Sequence, residues 1–382
     1  MCNGGYMENP FIYGERVTGE YFWDREQEVE RLKIDLLSSQ KVFLISSRKM
    51  GKSSLVATVL EQLEKQGIIT VYLDLEKFSS YDKLLERYLN CLMKHEGPLE
   101  KALDFIKQLL PQLRPEIRLD EEGKPFFSFG LGRSPQGIEN IESEIYELPG
   151  KISEKKGKKI VIVFDEFQEI LDFNGKHIEG VIRSEVQRQR NVGYVFCGSK
   201  KHLLADMVSS PERPFYQIGP IMRLDKIPGE TMLRFLKEKF LSANIDVDGG
   251  CLDQIIEFSR GVPHYVQMLA HRLWDYSVSK GKAEAGDVQK VVNELISQSF
   301  EEFQSRWGNL ITSKKLLLKA ISVSGGQNVL SKKYMTEHNL GYPSSIRRTL
   351  LSLMDEGILD KEDGSYFFTD LLFCRWTKDY VE

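Results

Sequence analysis

The sequence has few cysteines, and no two of them are close together. The five, Cys2, Cys91, Cys197, Cys251 and Cys374, form no CxxC pair and have no histidine cluster beside them. This spacing argues against a structural zinc site and, in a chain of 382 residues, against a disulfide framework. We therefore expect a reduced protein in which most of the cysteines are small buried side chains.

Long apolar runs and a strong net charge are also absent. No run approaches the roughly 18 residues that a membrane span needs, and residues 1–15 lack the charged-then-apolar order of a secretory signal. We therefore expect a cytoplasmic protein that makes no membrane contact. The formal net charge of -4 argues against a surface that is basic throughout, but it is compatible with a local basic patch for nucleic acid.

The order of sequence patterns predicts three domains. Up to about residue 225, short apolar strands alternate with helical patterns, which is typical of an α/β sandwich around a parallel sheet. This domain carries an insertion near 97–137, with an amphipathic helix and a β-hairpin. Residues 226–310 have only helical periodicity and predict a helical lid domain. The pattern of residues 311–382 predicts a helix, a short helix, a turn, a helix and two short strands, which is the order of a winged helix.

The segment ISSRKMGKSSL, residues 45–55, follows an apolar run and leads into a helical pattern. It matches the phosphate-binding loop, or Walker A motif, except that Ser46 stands at the first glycine. Gly51 lets the backbone approach the phosphates, Lys52 reaches the β- and γ-phosphates, and the Ser53 hydroxyl coordinates Mg²⁺. Ser46 carries a modest steric risk, because serine tolerates a positive φ less well than glycine. The predicted nucleotide contacts along this loop are Ser47, Arg48, Lys49, Met50, Gly51, Lys52, Ser53 and Ser54.

A second motif, IVIVFDEF at residues 160–167, supports the same site. It predicts a buried strand that brings Asp165 and Glu166 to its carboxyl end, where open parallel sheets bind ligands. In this Walker B pattern Asp165 holds Mg²⁺ with Ser53, and Glu166 polarises the water that attacks the γ-phosphate. The order of the two motifs and their strand contexts argue against chance. The acid at Glu166 favours hydrolysis of ATP to ADP over binding alone.

The chain resembles the archaeal-type ATPases of the STAND branch of the AAA+ superfamily over nearly its whole length. The resemblance rests on FWDREQEVERL, the phosphate loop, IVFDEFQEI, YVFCGSKKHLL, RPFYQIG, SRGVPHYVQMLA and the C-terminal winged-helix pattern. It implies a P-loop sandwich, ATP and ADP as ligands, and a lid whose position depends on the nucleotide. The serine at position 46 and the insertion depart from the family pattern.

The resemblance implies roles for four further residues. FWDRE is similar to the segment beside the adenine, so Trp23 and Arg25 would line the base pocket; a helix cap with a packed aromatic is the alternative. Ser199 matches the sensor-1 position, which hydrogen-bonds the γ-phosphate or the attacking water; a turn serine is the alternative. Pro263 in GVP is similar to the GxP proline that contacts the base, or it is an ordinary helix break.

One arginine in the RPFYQIG segment is a candidate arginine finger. Arg213 would act on the nucleotide of the same chain or of a neighbour, and its rivals are Arg188, Arg190 and Arg223. An exposed, solvated arginine is the alternative for Arg213.

The charges of the winged helix are divided unevenly. Residues 311–350 carry seven basic side chains and one acidic one, whereas residues 351–382 carry three basic and eight acidic ones. Ser344, Ser345, Arg347 and Arg348 begin the predicted recognition helix, where base edges would be read. The leucines of the same helix favour the alternative of a protein-packing module.

Three functions follow as hypotheses. The first is a regulatory ATPase whose nucleotide state controls a protein partner. The second is a DNA-associated ATPase that acts through the winged helix in replication, transposition or transcription. The third is a non-catalytic nucleotide-binding interaction protein. The sequence leaves the partner and the oligomeric state open.

Overall fold

The computed structural model describes residues 8–97, 99–110, 115–119, 122–129, 135–173 and 175–381. They form two compact units. The first, called the sheet unit here, contains Arg25–Ser46 and Lys52–Leu224. The second, the helical unit, contains the described residues up to Asp24, the loop Ser47–Gly51 and the chain from Asp225 onward. The division into three domains with the boundaries drawn from the sequence stays a prediction.

A parallel five-stranded sheet forms the centre of the sheet unit, in the order β2-β5-β6-β1-β7. Its strands are β1 (Lys41–Ile45), β2 (Ile69–Asp74), β5 (Ile160–Asp165), β6 (Val192–Gly198) and β7 (Ile221–Arg223). The first four are the apolar runs of the sequence, and all seven residues of β6 are buried. The edge strand β7 was not predicted from the sequence, because it has three residues and only Met222 is buried.

Helices cover the sheet, as the unbroken apolar strands require. Those of the sheet unit are α1 (Glu26–Leu37), α2 (Lys52–Lys65), α3 (Tyr81–Met93), α4 (Leu99–Leu109), α5 (Pro135–Lys156), α6 (Gly175–Arg188) and α7 (Lys201–Ser209). Aromatic rings fill much of the core: Phe196 lies between Phe43 and Phe167, with ring centroids 4.9 and 4.6 Å away. This core fixes the strand ends on which the candidate site is built.

The insertion contains the predicted amphipathic helix, α4, and the predicted hairpin. Strands β3 (Pro115–Leu119) and β4 (Pro125–Phe129) pair antiparallel. Asn90 of α3 anchors β4, because its amide nitrogen donates to the Phe127 carbonyl at 2.7 Å and its amide oxygen accepts from the Phe127 N–H at 2.8 Å. Asp120 and Glu121, between the two strands, lie outside the described residues.

The helical unit has its own core. It contains α8 (Gly229–Ser242), α9 (Gly249–Ser259), α10 (Pro263–Ser277), α11 (Asp287–Gln298), α12 (Phe300–Gly308), α13 (Thr312–Ser324), α14 (Lys332–Glu337), α15 (Pro343–Asp355) and α16 (Leu371–Tyr380). The two-residue strands β8 (Asp246–Val247) and β9 (Lys282–Ala283) pair in parallel. From the N-terminal segment, Phe11 is fully buried, with its ring centroid 4.7 Å from that of Phe240.

The winged-helix order is present at the end of the chain. Helices α13, α14 and α15 are followed by β10 (Leu359–Glu362) and β11 (Ser365–Phe368), an antiparallel pair that we call the wing, and then by α16. Ile346, Leu350 and Leu353 turn the apolar side of α15 into the core. In the part of the chain that the structure describes, no helix combines the length and the apolar character of a membrane span.

Candidate functional site

The candidate site lies at the carboxyl ends of neighbouring parallel strands. Strand β5 ends at Asp165, which Glu166 follows, and β6 ends at Gly198, which Ser199 follows. Helix α2 begins at Lys52. Because the strands are parallel, their carboxyl ends lie at one edge of the sheet, which is where open α/β sheets bind ligands.

Lys52 lies between the two acids of the second motif. Its Nζ is 2.7 Å from Asp165 Oδ1 and 2.6 Å from Glu166 Oε1, and its side chain is only 7% exposed. Burial acts to lower the pKa of Lys52, but the charges of Asp165 and Glu166 outweigh it and raise the pKa. The two predicted motifs are therefore brought together, and the lysine is firmly protonated.

Asp165 is a buried carboxylate with several donors around it. Beside Lys52 it accepts from Ser53 Oγ at 3.3 Å and from the Tyr72 hydroxyl of β2. A hydroxyl and a carboxylate offer the hard oxygen atoms that Mg²⁺ prefers. In the described part of the chain, no group of three or more His, Cys, Asp or Glu side chains could hold a metal ion alone. An ion at Ser53 and Asp165 would therefore need oxygen atoms from phosphates and water.

Glu166 is held by a second set of contacts. Its Oε2 accepts from Gln168 Nε2 at 2.7 Å, from Ser199 Oγ at 2.8 Å and from the Ser199 N–H at 3.1 Å. Burial acts to raise the pKa of Glu166, but Lys52, Gln168 and Ser199 together lower it to about 2. The backbone at Glu166 has a φ of 50°, which a residue with a Cβ rarely adopts. The carboxylate is thus ionised and fixed in direction.

Gln168 and Tyr72 were missed in the sequence. Gln168 is buried, and its Oε1 finds no hydrogen-bond partner among the described residues. The sequence position of Gln168, two residues after Glu166, could have indicated this contact, because a short turn after the strand brings its side chain back beside Glu166. Tyr72 could be found only from the pairing of β2 with β5, where it is opposite Val163.

The unusual serine of the phosphate loop does not bear the backbone strain that its position suggested. Ser46 is fully buried and is not among the residues with positive φ, whereas Lys49 has a φ of 67° and Gly51 one of 83°. Gly51 adopts this conformation freely because it has no Cβ. The steric risk predicted at Ser46 therefore falls on Lys49 instead. Ser54, also a predicted contact, is buried in α2.

The residues predicted to line the base pocket are divided between the two units. In the helical unit, Trp23 stacks on Phe235 with ring centroids 4.0 Å apart and an angle of 7°, and Pro263 opens α10. In the sheet unit, Arg25 is buried and its guanidinium is 2.7 Å from Glu28 Oε1. The packed-aromatic alternative thus describes Trp23 in this structure, and a role for these residues at a base stays a prediction.

Arg213 is part of an internal ion pair rather than solvated. Its guanidinium donates to Glu179 Oε1, and the two side chains are 12% and 0% exposed. Its Nε lies 3.7 Å from Asp206 Oδ2. Among its rivals, Arg188 is exposed and pairs with Glu185 at 3.3 Å, and Arg190 and Arg223 are exposed. A role for Arg213 as a finger would require this pair to open.

Comparison with known proteins adds two family matches. A family described as an ATPase domain predominantly from Archaea matches residues 22–269, and one described as a probable winged helix domain matches residues 301–379. An uncharacterized ATP-binding protein of Methanocaldococcus jannaschii is 24% identical over 201 residues. The match covers 49% of this chain and 54% of the relative, so the chain spans about half the length of that protein.

Two solved structures share the fold over almost the whole chain. The Walker-type ATPase of Pyrococcus abyssi has a TM-score of 0.65 and 19% identity, and the match covers 97% of this chain and 99% of that one. The ORC2 protein of Aeropyrum pernix, in ADPNP-ADP complexes, has a TM-score of 0.55 and 15% identity, with 98% and 95% covered. The fold predicted from the sequence, a parallel-sheet P-loop architecture followed by a helical region with a winged helix, is confirmed.

Proposed function

Because this chain belongs to the family of ATPase domains found predominantly in Archaea, we propose that it binds MgATP, hydrolyses it to ADP and phosphate, and controls a partner through its nucleotide state. The observation that carries this proposal is Lys52 buried between Asp165 and Glu166. The ATP-binding description of the Methanocaldococcus jannaschii relative supports the choice of nucleotide. Membership of the STAND branch is the narrower proposal, and it rests on the resemblance alone.

Lys52 changes its partners when ATP binds. In the structure its ammonium neutralises two carboxylates, and a triphosphate offers it a third, more strongly charged partner. The N–H groups of the first turn of α2 have no intrahelical acceptors, and the positive end of the helix favours an anion there. ATP therefore gives Lys52 a new charged partner, while Asp165 and Glu166 keep the hydrogen bonds that hold them.

Ser53 and Asp165 are the residues that would hold Mg²⁺. Their oxygen atoms are 3.3 Å apart, and both are hard donors. The ion, when bound, neutralises charge on the β- and γ-phosphate oxygens. Release of Lys52 from Asp165 leaves this carboxylate its hydrogen bonds to Ser53 and Tyr72, which keep its orientation.

Glu166 orients the attacking water, and ATP binding makes it a better base. With Lys52 beside it, its pKa is about 2, so the carboxylate accepts a proton poorly. When Lys52 turns to the phosphates, the largest influence that lowers this pKa is weakened, and the pKa of Glu166 rises. Ser199 and Gln168 hold the carboxylate in place during this change. The catalytic group is thus most basic when substrate is present.

Substitution of Lys52 tests nucleotide binding. We expect Lys52→Ala to abolish MgATP binding in isothermal titration calorimetry, whereas Lys65→Ala, an exposed lysine on the same helix, binds as the wild type does. Far-UV circular dichroism checks that both variants are folded. Equal affinity of wild type and Lys52→Ala would refute the site.

Substitution of Glu166 tests hydrolysis separately from binding. We expect Glu166→Gln to keep MgATP affinity and to lose phosphate release, because the amide keeps the shape but cannot polarise water. Equal, negligible rates in both proteins would instead favour the non-catalytic nucleotide-binding interaction protein.

A DNA-associated ATPase is the second candidate, and the surface of the winged helix favours it. Arg347 and Arg348 are exposed on α15, whereas its Ile346 and Leu350 are buried, and Lys332 and Lys333 are exposed on α14. Ser344 and Ser345, at the start of α15, are exposed as well. Exposed cations on adjoining helices can neutralise phosphates and release counterions.

Binding to mixed genomic DNA across a salt series tests this candidate. We expect the double substitution Arg347→Ala, Arg348→Ala to weaken binding and to reduce the salt slope by about 2, because two phosphates are no longer neutralised. The matched control removes two exposed cations of α8, Arg234 and Lys237. Absence of salt-dependent binding by the wild type would leave only the protein partner.

A further inference from the structure

The outer side of the phosphate loop is bound to the winged helix within the helical unit. Ser47 Oγ donates to Asp360 Oδ2 of the wing at 2.7 Å. Lys49 Nζ donates to the Tyr265 hydroxyl at 2.7 Å and lies 3.5 Å from Asp370 Oδ2. The two carboxylates belong to β10 and to the residue before α16, more than 300 positions further along the chain.

Lys49 is the residue of the loop that needs such support. Its φ of 67° lies in the left-handed region, where a Cβ comes too close to the following carbonyl oxygen. Glycine, which has no Cβ, adopts this conformation at the lowest free-energy cost. A strained backbone conformation of this kind persists only where the surroundings hold it. Besides the two side-chain contacts, the Lys49 carbonyl accepts from the His264 N–H at 3.4 Å.

The group that holds Lys49 is itself well fixed. The Tyr265 hydroxyl is buried, donates to Asp370 Oδ1 at 3.2 Å and accepts from the Leu371 N–H at 2.9 Å. Asp370 caps α16, since its Oδ1 accepts from the N–H groups of Leu372 and Phe373 at 3.0 and 3.2 Å. Lys49, Tyr265 and Asp370 therefore form one hydrogen-bonded chain from the loop to the winged helix.

We propose that the winged helix, together with Tyr265 of α10, positions the phosphate loop: Asp370 and Tyr265 hold Lys49, and Asp360 holds Ser47, in the backbone conformation that presents the N–H groups of the loop to phosphate. This inference rests on the proposed nucleotide function. Alternating left-handed and right-handed residues turn successive N–H groups toward an anion, and a loop held in that form binds without the entropic cost of ordering. Whatever pulls α16 away would then weaken nucleotide binding, and by linkage nucleotide would hold α16 in place.

Three variants separate backbone positioning from the charge of Lys49. We expect Lys49→Ala to weaken MgATP affinity about tenfold, since it keeps a Cβ but loses the anchor. Lys49→Gly should bind more tightly than Lys49→Ala, because glycine adopts the positive φ without strain, but more weakly than the wild type, because it loses the contacts that order the loop. Asp370→Asn keeps the cap of α16 but loses the charge, and we expect it to weaken affinity about threefold in the wild type and not at all in the Lys49→Gly background.

The readout is MgATP affinity by calorimetry, with Asp379→Asn, a carboxylate elsewhere on α16, as the control. If Lys49→Ala bound as tightly as the wild type, or if Lys49→Gly were as weak as Lys49→Ala, the positioning role would be refuted. If Lys49→Gly were as weak as Lys49→Ala, Lys49 would contribute its charge to nucleotide binding and not the backbone conformation of the loop. Failure of the nucleotide function is distinguishable, because then the wild type itself would not bind MgATP.

Discussion

Removal of Arg213 should destabilise the sheet unit, whatever its effect on ATP turnover. Arg213→Ala leaves Glu179, whose side chain is 0% exposed, without its guanidinium partner. An arginine that acted only as a finger toward a neighbouring molecule would leave stability unchanged when removed. The experiment therefore distinguishes a structural ion pair from a residue free to reach another nucleotide.

The magnitude follows from the burial of the pair. Loss of one partner of a buried ion pair costs about 3–5 kcal/mol, and in a unit of this size each kcal/mol lowers the Tm by about 2–4 °C. Burial raises the pKa of Glu179 to about 7 even though Arg213 opposes the rise. Without Arg213 the pKa rises further, so the carboxyl can stay neutral at low pH. The full cost applies only to a group that stays charged; because Glu179 can take up a proton instead, the loss should be small near pH 5 and reach about 1.4 kcal/mol, or about 3–6 °C, at pH 8.

Thermal unfolding followed by circular dichroism at pH 5 and pH 8 measures this effect. Arg190→Ala, which removes an exposed arginine, is the control, and Glu179→Gln in the Arg213→Ala background should recover part of the Tm at pH 8. An unchanged Tm of Arg213→Ala at pH 8 would refute the reasoning. Loss of turnover at unchanged Tm would instead support a finger.

Two further predictions concern the candidate site. The pKa of Glu166 is depressed from 4.5 to about 2, so its contribution to stability is present above pH 4.5 and is lost as the pH falls toward 2. Glu166→Gln should reduce this acid-dependent loss of unfolding free energy by about 3 kcal/mol, measured by urea titrations at stepped pH. An unchanged loss of stability in acid would contradict the ion pair. Ser46→Ala should raise the free energy of unfolding by about 1 kcal/mol at unchanged MgATP affinity, because the buried hydroxyl finds no partner among the described residues; a lower stability would mean that the hydroxyl is bonded.

The parallel sheet could be predicted because burial on both faces leaves an unmistakable pattern. Val42 to Ile45, Ile160 to Phe164 and Val192 to Cys197 are apolar without alternation, and all are buried. The edge strand Ile221–Arg223 could not be predicted, because one buried residue in three carries no period. Its position depends on the parallel pairing with β1.

The part of the candidate site that lies in short sequence motifs could be predicted. Lys52, Ser53, Asp165 and Glu166 lie in two short motifs, and the shared strand edge brings them together. The partner of Arg213 was not visible, because Glu179 lies in a helical pattern and its burial depends on tertiary packing. The contacts of Lys49 were equally hidden, since Asp370 is more than 300 residues away.

The loop differs from the motif in which of its residues adopts the left-handed backbone conformation. Ser46 occupies the first glycine position without a positive φ, so its side chain costs no backbone strain. The left-handed conformation instead falls on Lys49, whose side chain is long enough to reach Tyr265 and Asp370. A glycine at position 49 would adopt the same backbone but could form neither contact. With lysine at this position, the conformation of the loop depends on contacts with the winged helix. Such a dependence is what couples nucleotide binding to the position of a C-terminal module.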